Sequence, residues 1–243
     1  MIQVRGIHKS FDGKPVLKGI DMDLNECETT VILGPSGQGK TVLIKSLVRL
    51  IRPDAGRILI DGEDIFTLPL KRFRTLQNSM AFVFQANALF DFLNVRDNLS
   101  LFMRMHRRMS HAEIESAVKS AIQFVGLGSS VLDKYPEELS GGMQKRVAIA
   151  RAILKDPRVI FYDEPTVGLD EGNVKKVIEL IGRLKEEVCA TSVIVTHDIP
   201  LMQQVADKVA LLKQGEIMFM GPRQDITSEM LHTLYVMGEA NEP

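Results

Sequence analysis

The chain has 243 residues, 45% hydrophobic and 25% charged, with a formal net charge of −1. That is the balance of an ordinary globular protein, without the basic excess of a dedicated nucleic-acid binder. No stretch approaches the roughly 18 apolar residues of a membrane span, and Met1-Ile2-Gln3-Val4-Arg5 lacks the long apolar run of a secretory signal.

Residues 2–33 read as short strands, with Asp12-Gly13 as a turn between them. Thr30-Val31-Ile32-Leu33 is an apolar, β-branched run, hence a buried strand. A glycine-rich loop follows, and the apolar spacing then predicts a helix from Val42 to Ile51, ended by Pro53. Ile58-Leu59-Ile60 and Ala81-Phe82-Val83-Phe84 read as further strands. From about residue 90 to 139 strand signals give way to helical ones. Ser110-His111-Ala112-Glu113 has the form of a capping box and opens a helix running to about Val125. This stretch reads as a helical subdomain inserted into an α/β core.

Beyond it, Val147–Leu154 and Val174–Glu187 read as helices, and Val159–Tyr162 and Ser192–Thr196 as strands. Val209–Leu212 and Ile217–Met220, joined by Gln214-Gly215, read as a closing hairpin. The alternation implies a largely parallel sheet with helices on both faces. Cys27 and Cys189 lie far apart in no metal-ligand pattern and are expected to be reduced thiols of a cytosolic protein.

Two local patterns carry chemistry. Gly34-Pro35-Ser36-Gly37-Gln38-Gly39-Lys40-Thr41 fits the G-x-x-x-x-G-K-[ST] phosphate loop, between a strand and a helix. Its glycines let backbone N–H groups point at phosphate oxygens, and the helix adds its positive N-terminal end. Lys40 is then expected to reach the β- and γ-phosphates of ATP, and Thr41 to ligate Mg²⁺. Second, the apolar run Val159-Ile160-Phe161-Tyr162 ends in Asp163-Glu164. Two carboxylates ending a buried strand need a partner or a task. Asp163 suits the Mg²⁺ site, and Glu164 is placed to polarise an attacking water.

Leu139-Ser140-Gly141-Gly142-Met143, before a helix, resembles the signature segment of the ABC ATPases. Other marks of that family follow in chain order. Gln85 resembles the Q-loop glutamine, Gly168-Leu169-Asp170 the D-loop, and His197 the switch histidine. Phe11 matches the aromatic that stacks on adenine, against the plainer alternative of a turn-packing residue. The resemblance covers nearly the whole chain. It implies a single P-loop NTPase domain of the ABC ATPase type. That domain has a core over 1–88 and 140–226 carrying an N-terminal antiparallel β-subdomain, a helical subdomain at 89–139, and a C-terminal tail at 227–243.

The resemblance also implies a mechanism. Two copies pair head to tail, and ATP lies between the phosphate loop of one and Ser140, Gly141 and Gly142 of the other. Gln85 touches Mg²⁺ or water and reports to a membrane permease. His197 holds the γ-phosphate and the water, and Asp170 crosses the dimer interface. Such a subunit sits on the cytoplasmic face of the cell membrane and binds no nucleic acid. Met143 stands where the signature usually has Gln.

Within the family, the chain is most similar to the ATPase of Mla/Mce-type lipid transporters. Asn87-Ala88-Leu89-Phe90-Asp91, Met143, and the ending Gly238-Glu239-Ala240-Asn241-Glu242-Pro243 carry that likeness. It implies a phospholipid or related cargo and an Mce-type substrate-binding protein reached through the permease; the alternatives are a transporter of a different substrate and, behind it, a non-transport ABC ATPase. Leu89, Phe90, Phe92, Leu93 and Val95 form either the core of the helical subdomain or a groove for a permease helix. The basic run Arg104-Met105-His106-Arg107-Arg108 reads as a solvated face, with contact to anionic lipid head groups as the alternative. The interval from Gln85 to Ser140 lacks the sustained heptads of DNA-maintenance relatives.

Overall fold

The computed structural model describes residues 2–107 and 109–236. Two long strands, β1 (Ile2–Phe11) and β2 (Lys14–Leu24), pair antiparallel across the Asp12-Gly13 turn. The strand β3 (Thr29–Leu33) leads into the phosphate loop and helix α1 (Lys40–Leu47). Next come β4 (Ala55–Ile60), β5 (Glu63–Asp64), helix α2 (Leu70–Asn78) and β6 (Met80–Val83). Helices α3 (Val95–His106), α4 (His111–Phe124) and α5 (Gly141–Ile153) follow, with two short 3₁₀ turns between the last pair. The chain then alternates through β7 (Val159–Asp163), α6 (Glu171–Val188), β8 (Thr191–Thr196) and α7 (Ile199–Val205). It closes with the hairpin of β9 (Lys208–Lys213) and β10 (Glu216–Pro222) and helix α8 (Ser228–Val236).

The strands form two sheets. One is antiparallel, in the order β2-β1-β4-β5. The other runs β10-β9-β3-β8-β7-β6, parallel except for the edge strand β10. Alternating side chains of the parallel strands enter different cores, as the period of two requires. Val31, Leu33, Ile160 and Tyr162 join the core built by α3 to α8. Ile32, Phe161, Val193 and Val195 join the core under α1 and the antiparallel sheet. The sequence-based strands, the closing hairpin and the capped helix at Ser110 all recur, the last with both capping-box bonds formed.

Three expectations change. Helix α1 ends at Leu47, well before Pro53. Arg49 takes a left-handed conformation (φ 60°), and the N–H groups of Leu50 and Ile51 turn back to donate to the Lys45 carbonyl. That is a helix-ending geometry the apolar spacing could not reveal. Helix α2 is an addition to the sequence reading: Leu70, Phe73 and Leu76 recur at three-residue spacing, and Phe73 and Leu76 are buried.

The third change concerns the cysteines. Cys27 and Cys189 are joined in a disulfide, with Cα atoms 4.8 Å apart, instead of standing as reduced thiols. Cys27 precedes β3 and Cys189 caps α6 just before β8. These strands are neighbours, with Thr29 opposite Ser192. A sequence separation of 162 residues hid the approach. The segment Gly238–Pro243 lies outside the described residues. The part of the tail that is described forms α8, which buries Leu234 in the core.

Candidate functional site

The site lies where parallel strands end. β3 runs into Gly34, whose N–H donates to the Thr196 carbonyl of β8 at 3.2 Å. A Cβ at Gly34 would come within 2.3 Å of the Leu212 carbonyl, so the loop can leave the sheet only from a glycine. Gly39 starts α1 with φ 96°, against Val16 of β2. These constraints wrap the loop over the N-terminus of α1, an anion-binding position. A cavity of about 370 Å³ opens there, lined by Ser36, Gly37, Gly39, Lys40, Thr41, Gln85, Glu164 and His197, with Val16, Val42 and Val167.

Lys40 is buried and fully partnered. Its Nζ donates to the carbonyls of Gly34 and Pro35, both at 2.8 Å, and lies 3.2 Å from Glu164 Oε1. Glu164 sits one residue beyond β7 in a left-handed conformation (φ 47°), an uncommon one for a non-glycine residue. Its N–H donates to the Val195 carbonyl at 2.9 Å, which ties the corner to β8. Its Oε2 accepts from the His197 N–H at 3.3 Å and lies 3.1 Å from His197 Nδ1. A proton on Nδ1 would be donated to Oε2, leaving Nε2 as the other ring nitrogen.

Beside this triad, Thr41 Oγ1 donates to Asp163 Oδ1 at 3.0 Å. Burial holds the Asp163 carboxyl above the usual carboxylate range, and the Thr41 hydrogen bond only partly opposes it. Thr41, Asp163 and Gln85 present hard oxygen donors of the kind Mg²⁺ takes. Among the described residues no group of three or more His, Cys, Asp and Glu could hold a metal alone. That matches the usual habit of Mg²⁺, which takes few protein ligands beside substrate phosphates.

Other expected site residues lie away from this cavity. Gln38 turns its side-chain oxygen to the Gln214 N–H in the closing hairpin. Phe11 ends β1 with 44% exposure, and Lys9 Nζ lies 5.2 Å from its ring centre. Ser140 caps α5, accepting from the Met143 N–H at 3.3 Å. Gly142 packs so closely on Asn173 that a Cβ would meet its side chain at 2.2 Å. Asp170 caps α6, accepting from the Asn173 N–H at 2.9 Å and Nδ2 at 2.6 Å, and these bonds hold its carboxyl low. Ser140, Gly141, Gly142 and Asp170 therefore form a second surface, absent from the cavity wall.

Four contributors escaped the sequence: Val16, Val42 and Val167 in the cavity wall, and Tyr235. Val16 lines the cavity from β2, and nothing in its neighbours marks it. Tyr235 of α8 donates its hydroxyl to the His197 carbonyl at 2.9 Å, with burial pushing the phenol up to about 12. A tyrosine near the chain end gives no local sign of that contact.

Comparison with known proteins agrees with this geometry. The model of the ABC transporter family matches residues 17–167. The chain is 38% identical over 223 residues to the probable ribonucleotide transport ATP-binding protein mkl of Mycobacterium leprae. That match takes in 92% of this chain but 64% of the relative's length. It is 34% identical to the sulfate/thiosulfate import ATP-binding protein CysA of Pseudomonas putida, over 99% of this chain and 73% of the relative.

Among solved structures, a dimeric ATP-binding cassette in a post-hydrolysis state, bound to ADP and Pi, superposes with a TM-score of 0.85. It is 29% identical, over 93% of this chain and 100% of that one. The cbiO1 protein of Clostridium perfringens gives 0.83 at 31% identity, over 96% and 92% of the two chains. This chain belongs to the ABC transporter family, as one of its ATP-binding domains.

Proposed function

We propose that this chain hydrolyses ATP as the motor subunit of a membrane transporter. The observation that carries the reading is the shared cavity in which Lys40, Glu164 and His197 are bonded in series beside the Thr41–Asp163 pair. In that reading the phosphates of ATP take over the ammonium of Lys40 and the N–H groups of residues 36–41. Glu164, released from Lys40, accepts a proton from the attacking water, and His197 fixes the position of its carboxylate. Thr41, Asp163 and Gln85 are the residues that would hold Mg²⁺, which would offset the charge on the phosphates.

The second surface, Ser140 to Gly142 with Asp170, supports a head-to-tail homodimer in which it closes over the partner's nucleotide. The backbone N–H groups at the start of α5 suit a γ-phosphate. Phe11 is proposed to stack on adenine with the part of its ring that is exposed, the Lys9 ammonium lying over the ring at 5.2 Å. The parts act as a core (1–88 and 140–226), a helical subdomain (89–139) and a tail from residue 227.

Among the described residues no helix is long and apolar enough to cross a membrane. We place the chain on the cytoplasmic side, held by an integral permease. Phe90 and Phe92, 42% and 76% exposed with ring centres 5.7 Å apart, support docking beside the Q-loop, whereas Val95 is core. The proposed cargo is a phospholipid or related lipid, with an Mce-type partner, on the strength of residues 87–91 and Met143. The names of the relatives favour a second reading, a transporter of another solute such as a ribonucleotide or sulfate.

ATP-dependent dimerisation of Glu164→Gln, followed by light scattering, tests the reading. A dimer stable with ATP and absent with ADP supports it; a monomer in both states contradicts it.

A further inference from the structure

The segment that carries Gln85 leaves β6 through an unfavourable turn. Asn87 and Ala88 both adopt left-handed conformations, φ 61° and 50°, in succession. Within the turn itself, the Asn87 N–H donates to the Phe84 carbonyl at 3.1 Å and the Ala88 N–H to the Ala86 carbonyl at 2.7 Å. The carbonyls of residues 85, 87 and 88, and a second lone pair of the Phe84 carbonyl, accept from side chains of one helix, α5. Lys145 Nζ donates to Phe84 O at 3.0 Å and Gln85 O at 2.9 Å. The guanidinium of Arg151 donates to Ala88 O at 2.7 Å and Asn87 O at 3.1 Å. Gln144 adds a longer contact, its Oε1 lying 3.4 Å from Asn87 Nδ2.

Lys145 is only 1% exposed. Burial pushes its ammonium down to about 8, against the pull of the Asp163 charge. An apolar residue of similar size would fill the same space without that desolvation cost. A buried cation spent on two backbone carbonyls therefore fixes geometry more than it adds stability. It lies on the first turns of the helix that Ser140 caps.

We propose that Lys145 is a positioning residue that locks the Gln85 backbone to the N-terminal half of α5, while Arg151 in the last turn of the same helix holds the following Asn87 and Ala88 carbonyls. Gln85 faces the cavity of its own chain, while Ser140 belongs to the surface offered to the partner's nucleotide. The lock makes these two groups one body, so a displacement of the Q-loop is carried to the opposite ATP site. This rests on the ATPase reading above and adds the residues that couple its two half-sites.

The test joins amide hydrogen exchange with a double-mutant cycle on the full chain. Lys145→Met should speed exchange at Asn87 and Ala88 by about 10-fold or more, leaving β3 and β7 unchanged. It should lower kcat by about 10-fold while the ATP dissociation constant stays within about 2-fold. In a Gln85→Ala background the kcat loss from Lys145→Met should vanish, because both changes then remove the same function. Arg151→Lys, which keeps the charge but breaks the fork, should act the same way more weakly and serves if Lys145→Met does not fold.

Unchanged exchange in the turn, or kcat losses that multiply in the double variant, would overturn the proposal while leaving the ATPase reading in place. A wild-type chain that never hydrolyses ATP would remove the ATPase reading, and this one with it.

Discussion

Lys40 Nζ and Glu164 Oε1 lie 3.2 Å apart, and both side chains are almost fully withdrawn from solvent. The two groups proposed to bind the γ-phosphate and to activate water thus neutralise each other before ATP arrives. Their partners are unequal. Lys40 also has two carbonyls, whereas the remaining side-chain partner of Glu164 is the half-exposed His197.

This asymmetry predicts an order of stabilities. Lys40→Ala strands a buried carboxylate and should cost about 1–3 kcal/mol. Glu164→Gln removes a charge but leaves Lys40 its carbonyls, and should cost less than about 1 kcal/mol. Chemical denaturation of the nucleotide-free proteins checks the order; equal losses would mean that the pair contributes nothing distinctive.

Asp163 gives a pH-dependent prediction. Burial raises its carboxyl above the unfolded value, so the folded state holds the proton to higher pH than the unfolded chain does. Stability is therefore lost as pH rises from the unfolded carboxylate value through the folded one, and the penalty is fully present above it. Asp163→Asn should stabilise the nucleotide-free protein at pH 7 and change it little at pH 3. The same substitution should lower ATPase activity by about 100-fold or more, since a ligand of the proposed Mg²⁺ site is lost. Melting temperatures at the two pH values, with activity at pH 7, read out both effects.

The Cys27–Cys189 disulfide closes a loop of 162 residues. Chain-entropy arguments give a link of that span a stabilisation of up to about 5 kcal/mol. Protein purified without reductant should resist alkylation at both cysteines until it is denatured and reduced, and Cys27→Ser should unfold at lower denaturant. Rapid alkylation of both thiols in the unreduced native protein would show the bond absent.

Tyr235 holds the backbone of His197 from α8. Tyr235→Phe keeps the packing and removes that bond, so kcat should fall by about 2- to 10-fold with ATP affinity unchanged. An unchanged kcat would assign α8 a packing role only.

Much of this site was readable from the chain because its pieces are local. The phosphate loop is a run of adjacent residues whose glycines, lysine and threonine each have a fixed task. Asp163-Glu164 stood out because two acids end an apolar strand. What stayed hidden depends on distant chain segments. The span of 60 residues or so between Gln85 and Lys145 says nothing of their contact, nor do Val16 and Tyr235 betray theirs. The cysteine pairing is hidden for the same reason, since only the pairing of β3 with β8 brings Cys27 and Cys189 together. Helix α1 stopped early through a backbone choice at Arg49 that side-chain periodicity does not encode.

The most direct measurement of the central claim is ATP hydrolysis by wild type and Glu164→Gln, each with and without the membrane proteins that co-purify with the chain. The account predicts slow hydrolysis by the isolated wild type, a changed rate with the membrane proteins, and loss of about 100-fold or more in Glu164→Gln under both conditions. Equal rates for the two proteins, or no hydrolysis by wild type in any condition, would contradict it.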